Sequence, residues 1–314
     1  MRLVTGSALD SPARVDPPAR ATVRVGLVQH AWREDADDLA KVLGEGIDLA
    51  AGAGAQVVFL PELTLSRYPA YQPPVGVPAA SAEDLETGPT VAFASHAARR
   101  HGVFVHASLY ERADPDGTGD GLGFNTAVLV DPSGRVVART RKTHIPVTEG
   151  YGEDAYFRPG PADDAYPVHD VDELDLRLGL PTCWDEWFPE VARIYGLQGA
   201  DLLAYPTAIG SEPDHPDFDT QPLWRQVIVG HAIANGLFVV VPNRTGVEGE
   251  LTFYGSSFVV DPYGRVLVEA PRDEEAVLVA DLDLDQRRDW LTLFPFFGTR
   301  RPDTYAALAR PDHP

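Results

Sequence analysis

The chain has 314 residues, 44% of them hydrophobic and 23% charged, values of a globular protein long enough for one large domain or two small ones. Its formal net charge of −21 argues against nucleic acid, which needs clustered Lys and Arg, and against anionic membrane surfaces. A single cysteine excludes an internal disulfide and any multi-cysteine zinc site, and favours a reducing, cytoplasmic setting.

No apolar stretch approaches the roughly 20 residues of a membrane span. Residues 1–21 carry Ala, Pro, Arg and Ser without an apolar h-region; they read as a flexible tail outside the core rather than a secretory signal. The β-rich "TVRVGLVQH" (22–30) opens the ordered chain, and a helix is expected over about 35–52. The continuous apolar run "AQVVFLPE" (55–62), ending at Pro61, predicts a buried strand. A helix over 89–102 has Pro89 near its start and Gly102 after its end, which suits both positions. A strand follows over 103–112.

The loop 113–123 faintly resembles a calcium loop, but Thr118 sits where a third acid is wanted and Asn125 where the closing Glu should be. Its glycines alternate and no helix follows, so it is no dinucleotide loop; a hairpin connection is expected. Residues 125–146 read as strand, turn, strand, with Asp131, Pro132, Ser133 and Gly134 in the turn. The same "DPxGR" pattern returns within 256–270 and suggests an internal structural repeat. Between the two hairpins lie a strand (174–183), a helix (about 186–198), a strand (201–206), a helix (about 219–235) and a strand (237–242). This alternation implies a layered α/β domain over 22–290. The aromatic-rich C-terminal arm, 291–314, either packs on its own core or contacts another copy.

Three residues at strand ends could do chemistry. Cys183 stands at a strand-to-helix junction, where a nucleophile can be exposed beside backbone N–H groups; a buried structural cysteine is the alternative. Glu62 directly follows its apolar strand and is either solvated or aimed into a site, and the same choice applies to Lys142. In α/β sheets, sites form at the carboxyl ends of strands.

The segments "FLPEL" (59–63), "RKTHIP" (141–146) and "CWDEWFPE" (183–190) resemble the three motifs of the nitrilase superfamily of carbon–nitrogen hydrolases. The resemblance covers about 22–306 and implies a four-layer α-β-β-α sandwich. It also implies Glu62 as general base, Lys142 as oxyanion stabiliser and Cys183 as nucleophile. The stretch "GYGEDAYFRPG" (150–160) resembles the family's segment bearing a further acid, here Glu153, which would orient Lys142 or a substrate nitrogen. Within the superfamily the chain is most similar to N-carbamoylputrescine amidases, through "CWDEWFPE", "YPTAIGSEP" (205–213), "LTFYGSSFVVDP" (251–262) and "RRPDTY" (300–305). The carbamoyl-D-amino-acid branch places an arginine soon after the cysteine to hold a carboxylate. Asp185, Glu186 and Trp187 stand there instead, which suits a cationic or neutral substrate tail. The chain departs from the amidases at "IPVTEGY" (145–151), at Leu223 where they carry a histidine, at Pro181 and Thr182, and over 64–80.

The resemblance therefore implies a cysteine-dependent amidohydrolase that cleaves a non-peptide C–N bond of an N-carbamoyl amine through an acyl-enzyme. The backbone N–H of Trp184 would assist Lys142 at the oxyanion, and neither metal nor cofactor is required. The expected partners are a small ureido or amide substrate and, from the resemblance, at least a second copy of the chain. The alternatives are another N-carbamoyl compound, a small aliphatic amide, or a binding protein that retains the fold. A serine hydrolase is disfavoured because "YGSSF" (254–258) lacks the G-x-S-x-G elbow. Tyr68, Tyr71, Trp187 and Trp224 are candidates for the pocket wall or the core, and Glu186, Glu212 and Asp217 for a substrate ammonium or the solvated surface. His144 and His231 read as hydrogen-bonded structural residues.

Overall fold

The computed structural model describes residues 1–114 and 119–310. Its strands run, in chain order, β1 (Arg2–Thr5), β2 (Val23–Gln29), β3 (Val57–Phe59), β4 (Phe104–Glu111), β5 (Phe124–Val130), β6 (Val136–Arg141), β7 (Val147–Thr148), β8 (Tyr151–Gly152), β9 (Val168–Val171), β10 (Leu176–Gly179), β11 (Leu202–Ala204), β12 (Phe238–Val241), β13 (Thr245–Glu248), β14 (Leu251–Tyr254), β15 (Phe258–Val260), β16 (Val266–Glu269) and β17 (Ala276–Leu282). The helices are α1 (Ala36–Gly52), α2 (Pro89–His101), α3 (Pro189–Leu197), α4 (Gln221–Asn235) and α5 (Asp285–Leu293).

Two sheets carry the architecture, in the orders β1-β17-β2-β3-β4-β5-β6 and β16-β15-β12-β11-β10-β9. Most of their strands are apolar on both faces, as strands covered on both sides must be. The inner faces meet in one core, where Val25, Leu27 and Phe59 pack with Leu178, Leu202 and Val240. Leu39, Leu43 and Ile47 of α1, with Val91 and Ala94 of α2, cover the outer face of the first sheet. Val191 and Tyr195 of α3, with Trp224 and Ile228 of α4, cover the second. Three apolar layers between four layers of structure make the α-β-β-α sandwich. Among the described residues no helix is long and apolar enough to cross a membrane.

The two sheets share a pairing pattern. From β17 to β6 the neighbours run antiparallel, parallel, parallel, antiparallel, antiparallel. From β9 to β16 the sequence is the same. Both closing hairpins carry a register shift one residue before the turn aspartate. In each, the aspartate carboxylate accepts the backbone N–H groups two and four residues on and pairs with the arginine: Asp131 with Arg135, Asp261 with Arg265. Gly134 and Gly264 take the left-handed conformation those turns need, with φ of 82° and 78°. This likeness is consistent with an internal repeat.

β4 and β5 pair antiparallel from Val105↔Val130 to Glu111↔Phe124, the pairing expected of two strands joined as a hairpin. Residues 115–118, and with them the calcium-loop comparison at Thr118, lie outside the described residues. The helix expected over about 186–198 begins later, at Pro189 in α3. A short 3₁₀ turn, Cys183–Trp187, precedes it.

The N-terminal segment is not the free tail its composition suggests. β1 adds a parallel edge strand to β17, and Val4 packs on the inter-sheet core. The reason is electrostatic as well as apolar: Arg20 forks onto Asp201 (3.0 and 3.2 Å) and reaches Asp285 (3.2 Å). Both carboxylates are only 5% exposed. Removing one partner of a buried ion pair leaves uncompensated charge. Arg20→Ala is therefore expected to lower unfolding stability by about 3 kcal/mol, read by chemical denaturation.

Candidate active site

Glu62 follows β3, Lys142 follows β6 and Cys183 lies shortly after β10. The fold brings these carboxyl ends together around one buried ammonium. Lys142 is 1% exposed, and its Nζ donates to Glu62 Oε1 (2.9 Å) and to both oxygens of Glu153 (2.8 and 2.7 Å). A buried charge must be paired to be tolerated. Burial alone would lower the Lys142 pKa, but the charges of Glu153 and Glu62 raise it, so the ammonium form is held.

The two carboxylates are not equivalent. Glu153 also accepts from Tyr68 Oη (2.8 Å), and burial pushes its carboxyl above the ordinary range against the pull of Lys142. Glu62 is pinned through Oε1 alone, which also accepts from Asn125 Nδ2 (2.7 Å). Its Oε2 is buried without a partner. A carboxylate with one oxygen anchored and one free is arranged to take a proton.

Cys183 is 7% exposed and adopts φ of 39°, a left-handed conformation that costs a non-glycine residue about 1–3 kcal/mol. Surrounding bonds hold that strain. Cys183 N donates to Pro206 O (3.1 Å). The Asp185 carboxylate accepts from the backbone of Thr182 (3.1 Å) and His144 (2.9 Å) and bonds His144 Nδ1 (2.7 Å). Asp185 thus ties the cysteine turn to the chain just past Lys142. Burial pushes the Cys183 thiol well up, the charge of Glu62 adds to the rise, and Lys142 opposes it. At neutral pH the sulfur is held as thiol, so attack requires a base beside it.

Cys183, Trp184 and Glu153 line a cavity of about 230 Å³, together with Pro146, Tyr151, Trp187, Ile209, Glu212 and Leu223. Of the residues singled out from sequence, Glu62, Lys142, Glu153 and Cys183 come together, and Trp184, Trp187 and Glu212 stand on the wall. Four others do not. Asp185 spends its carboxylate on backbone N–H groups. Trp224 is fully buried against Tyr254 and Phe258. Glu186 is fully buried beneath the turn, accepting from Trp224 Nε1 (2.7 Å). Tyr68 sits behind Glu153. Asp217 is exposed, and Tyr71 packs against Arg67, with 4.6 Å from guanidinium to ring. His144 stacks on Phe188 at 3.7 Å, and His231 Nε2 contacts Glu186 O (2.9 Å), so both are hydrogen-bonded within the fold. Sequence reasoning missed Asn125, Tyr151, Ile209 and Arg244. Arg244 had a signal, since it follows the carboxyl end of a strand, the criterion that found Glu62; Asn125, at the start of β5, had none.

The carbon–nitrogen hydrolase family profile matches residues 24–291. A citrullinase of Francisella tularensis is 35% identical over 295 residues, 92% of this chain and 99% of that protein. An N-carbamoylputrescine amidase of Arabidopsis thaliana is 38% identical over 239 residues, 74% of this chain and 77% of that one. The crystal structure of a carbon–nitrogen hydrolase from Helicobacter pylori superposes with a TM-score of 0.81 at 31% identity, covering 93% of this chain and 100% of that one.

Two predictions follow from the charges. Glu62→Gln removes a charge that raises the thiol, and Lys142→Met removes one that lowers it. Ultraviolet titration of the thiolate is expected to move to lower pH in the first variant and to higher pH in the second; shifts of the same sign would contradict this geometry. The second concerns Glu186, whose carboxyl burial holds well above the ordinary range. A raised folded-state value stabilises the fold at pH below the unfolded carboxyl's range, and this contribution is lost as pH rises toward the folded value. Glu186→Gln should therefore gain stability relative to the native chain as pH increases. Glu186→Ala, which orphans Trp224 Nε1, should cost about 1–3 kcal/mol. Denaturation at several pH values reads both.

Proposed function

The chain belongs to the carbon–nitrogen hydrolase family, and from that premise we propose that it cleaves the ureido C–N bond of an N-carbamoyl amine with a cationic distal end, as in N-carbamoylputrescine. The observation that carries the reading is Glu212. It stands on the cavity wall with Cys183, and its one side-chain hydrogen bond among the described residues is a long one from Thr220 Oγ1 (3.4 Å). Burial pushes its carboxyl above the ordinary range, a cost that a substrate ammonium would offset. No lysine or arginine lines the cavity among the described residues, so a substrate carboxylate would find no partner there.

In this reading Cys183 Sγ attacks the carbamoyl carbon while Glu62 Oε2 takes the thiol proton. Lys142 turns one N–H from the Glu153 carboxylate, where two of its bonds lie, to the developing oxyanion. The backbone N–H of Trp184 is the second donor. Loss of one such donor typically costs about 10²–10³ in rate. The tetrahedral species collapses with cleavage of a C–N bond, and Glu62 returns the proton to the departing amine or ammonia. The carbonyl carbon is left on sulfur as a thiocarbamate. Water, giving its proton to Glu62, attacks that carbon; sulfur leaves and recovers the proton, and the released carbamic acid yields carbon dioxide and an amine or ammonia. Trp184 and Trp187, 6.3 Å apart between ring centroids, supply an apolar wall for an alkyl chain. Exposed Leu293, Phe294 and Leu308 support association of two copies through the C-terminal arm, and the lone cysteine supports a reducing, cytoplasmic setting.

Citrulline is the second reading, favoured by the near end-to-end match to the citrullinase. It carries the same ureido group but adds a carboxylate.

The test is ammonia release from N-carbamoylputrescine, citrulline, N-carbamoyl-β-alanine and a simple aliphatic amide, with a folded Cys183→Ala control. N-carbamoylputrescine should turn over best, and the control should be inactive. Glu212→Gln should raise KM for the cationic substrate by about 10–100-fold, the worth of a charged hydrogen bond, and leave a neutral N-carbamoyl alkylamine unchanged. Preference for citrulline would overturn the tail assignment; activity in Cys183→Ala would overturn the mechanism.

A further inference from the structure

One arginine at the site touches neither the cavity nor the carboxylates flanking Lys142, yet it is bonded to the backbone of the turn that bears Glu62. Arg244 follows β12, at the carboxyl end of a strand like Glu62, Lys142 and Cys183. It is completely buried. Its Nε and Nη2 donate to Glu62 O (3.2 and 2.9 Å), and Nη2 also reaches Leu63 O (2.7 Å) and Ser66 O (2.6 Å). Nη1 donates to Glu248 Oε1 (2.7 Å). Glu248 Oε2 in turn accepts from Tyr68 N (2.9 Å), and Tyr68 Oη holds Glu153.

We propose that Arg244, oriented by Glu248, is a positioning residue that fixes the Glu62 carboxylate toward Cys183 and, through Tyr68, the Glu153 carboxylate toward Lys142. The proposal rests on the reading of Glu62 as the base. Three carbonyls of one turn converge on a single guanidinium, and Leu63 within that turn adopts φ of 50°. Carbonyls so gathered and buried need donors, and a planar guanidinium spreads five over three nitrogens, reaching the turn carbonyls and Glu248 at once, whereas a lysine ammonium offers three from a single point. Without the fork the turn would relax and carry Glu62 with it. Stability alone is a weak reason for such a pair, because burying two charges costs about what their attraction returns. Placement is the stronger one, since a displacement of about 1 Å at a reacting group can cost about 10²-fold in rate.

The experiment compares Arg244→Lys, Glu248→Gln, Glu62→Gln and Glu62→Gln/Arg244→Lys, each checked by circular dichroism, on the best substrate of the preceding assay. Arg244→Lys is expected to lower kcat by about 30–100-fold with KM within about threefold. Glu248→Gln, which keeps volume and is the safer variant for folding, should lower kcat by about tenfold. The second readout is the pH midpoint of the Cys183 thiolate. The shift caused by Glu62→Gln should shrink by at least half in the Arg244→Lys background, because a displaced carboxylate acts less on the sulfur. A purely structural role would lower thermal stability and leave kcat and that shift unchanged, which would overturn the proposal. Normal turnover in Glu62→Gln itself would instead sink the base reading, and the proposal with it.

Discussion

A lysine ammonium shut away from water between two carboxylates is the constraint around which this site is built. Lys142 survives burial because Glu62 and Glu153 each face it. Those acids in turn would carry more negative charge than one cation offsets, so further donors gather: Asn125 on Glu62 and the Tyr68 hydroxyl on Glu153. Burial raises the Glu153 carboxyl and the Cys183 thiol alike. Burial thus keeps the proton on the thiol at neutral pH and brings the Glu153 carboxyl up to about 7, where an exposed carboxyl would have lost its proton. Hydrolysis of a C–N bond needs such a reserve, since a thiol proton must leave and an amine must receive one.

The scaffold makes this affordable by fixing every backbone segment that enters the site. Asp185 fastens the strained Cys183 turn to the chain after Lys142. Arg244 gathers the carbonyls of the Glu62 turn. Both are buried polar groups with satisfied bonds, and neither faces the cavity. The geometry of the cluster thus depends on inward-facing residues as much as on those that line the cavity.

Much of this was legible in the sequence. Continuous apolar runs mark both sheets, paired "DPxGR" turns mark the doubled hairpins, and chemically reactive side chains at strand ends mark Glu62, Lys142 and Cys183. The errors around the nucleophile share one cause. Acids and aromatics following the nucleophile look available in one dimension, but the 3₁₀ turn Cys183–Trp187 points Asp185 and Glu186 inward and leaves only Trp184 and Trp187 on the cavity wall. Trp224 and Tyr68 are likewise core residues that no local pattern distinguishes from pocket residues. The N-terminal segment misleads for a different reason: its composition is that of a tail, while its pairing with β17 and the bond from Arg20 to Asp201, 181 residues away, are long-range. Arg244 shows the converse, a residue whose position at a strand end carried the signal although its partners do not appear until the chain is folded.

The central claim is that Cys183 becomes covalently bonded to the substrate carbonyl under the control of the buried Glu–Lys–Glu cluster. Rapid quench of the enzyme during turnover of N-carbamoylputrescine, followed by peptide mass spectrometry, tests it most directly. A mass increase of one carbamoyl or alkylcarbamoyl group on the peptide containing Cys183, appearing and decaying within a turnover, is the predicted result. Turnover with that peptide unmodified throughout, or an adduct on another residue, would contradict it.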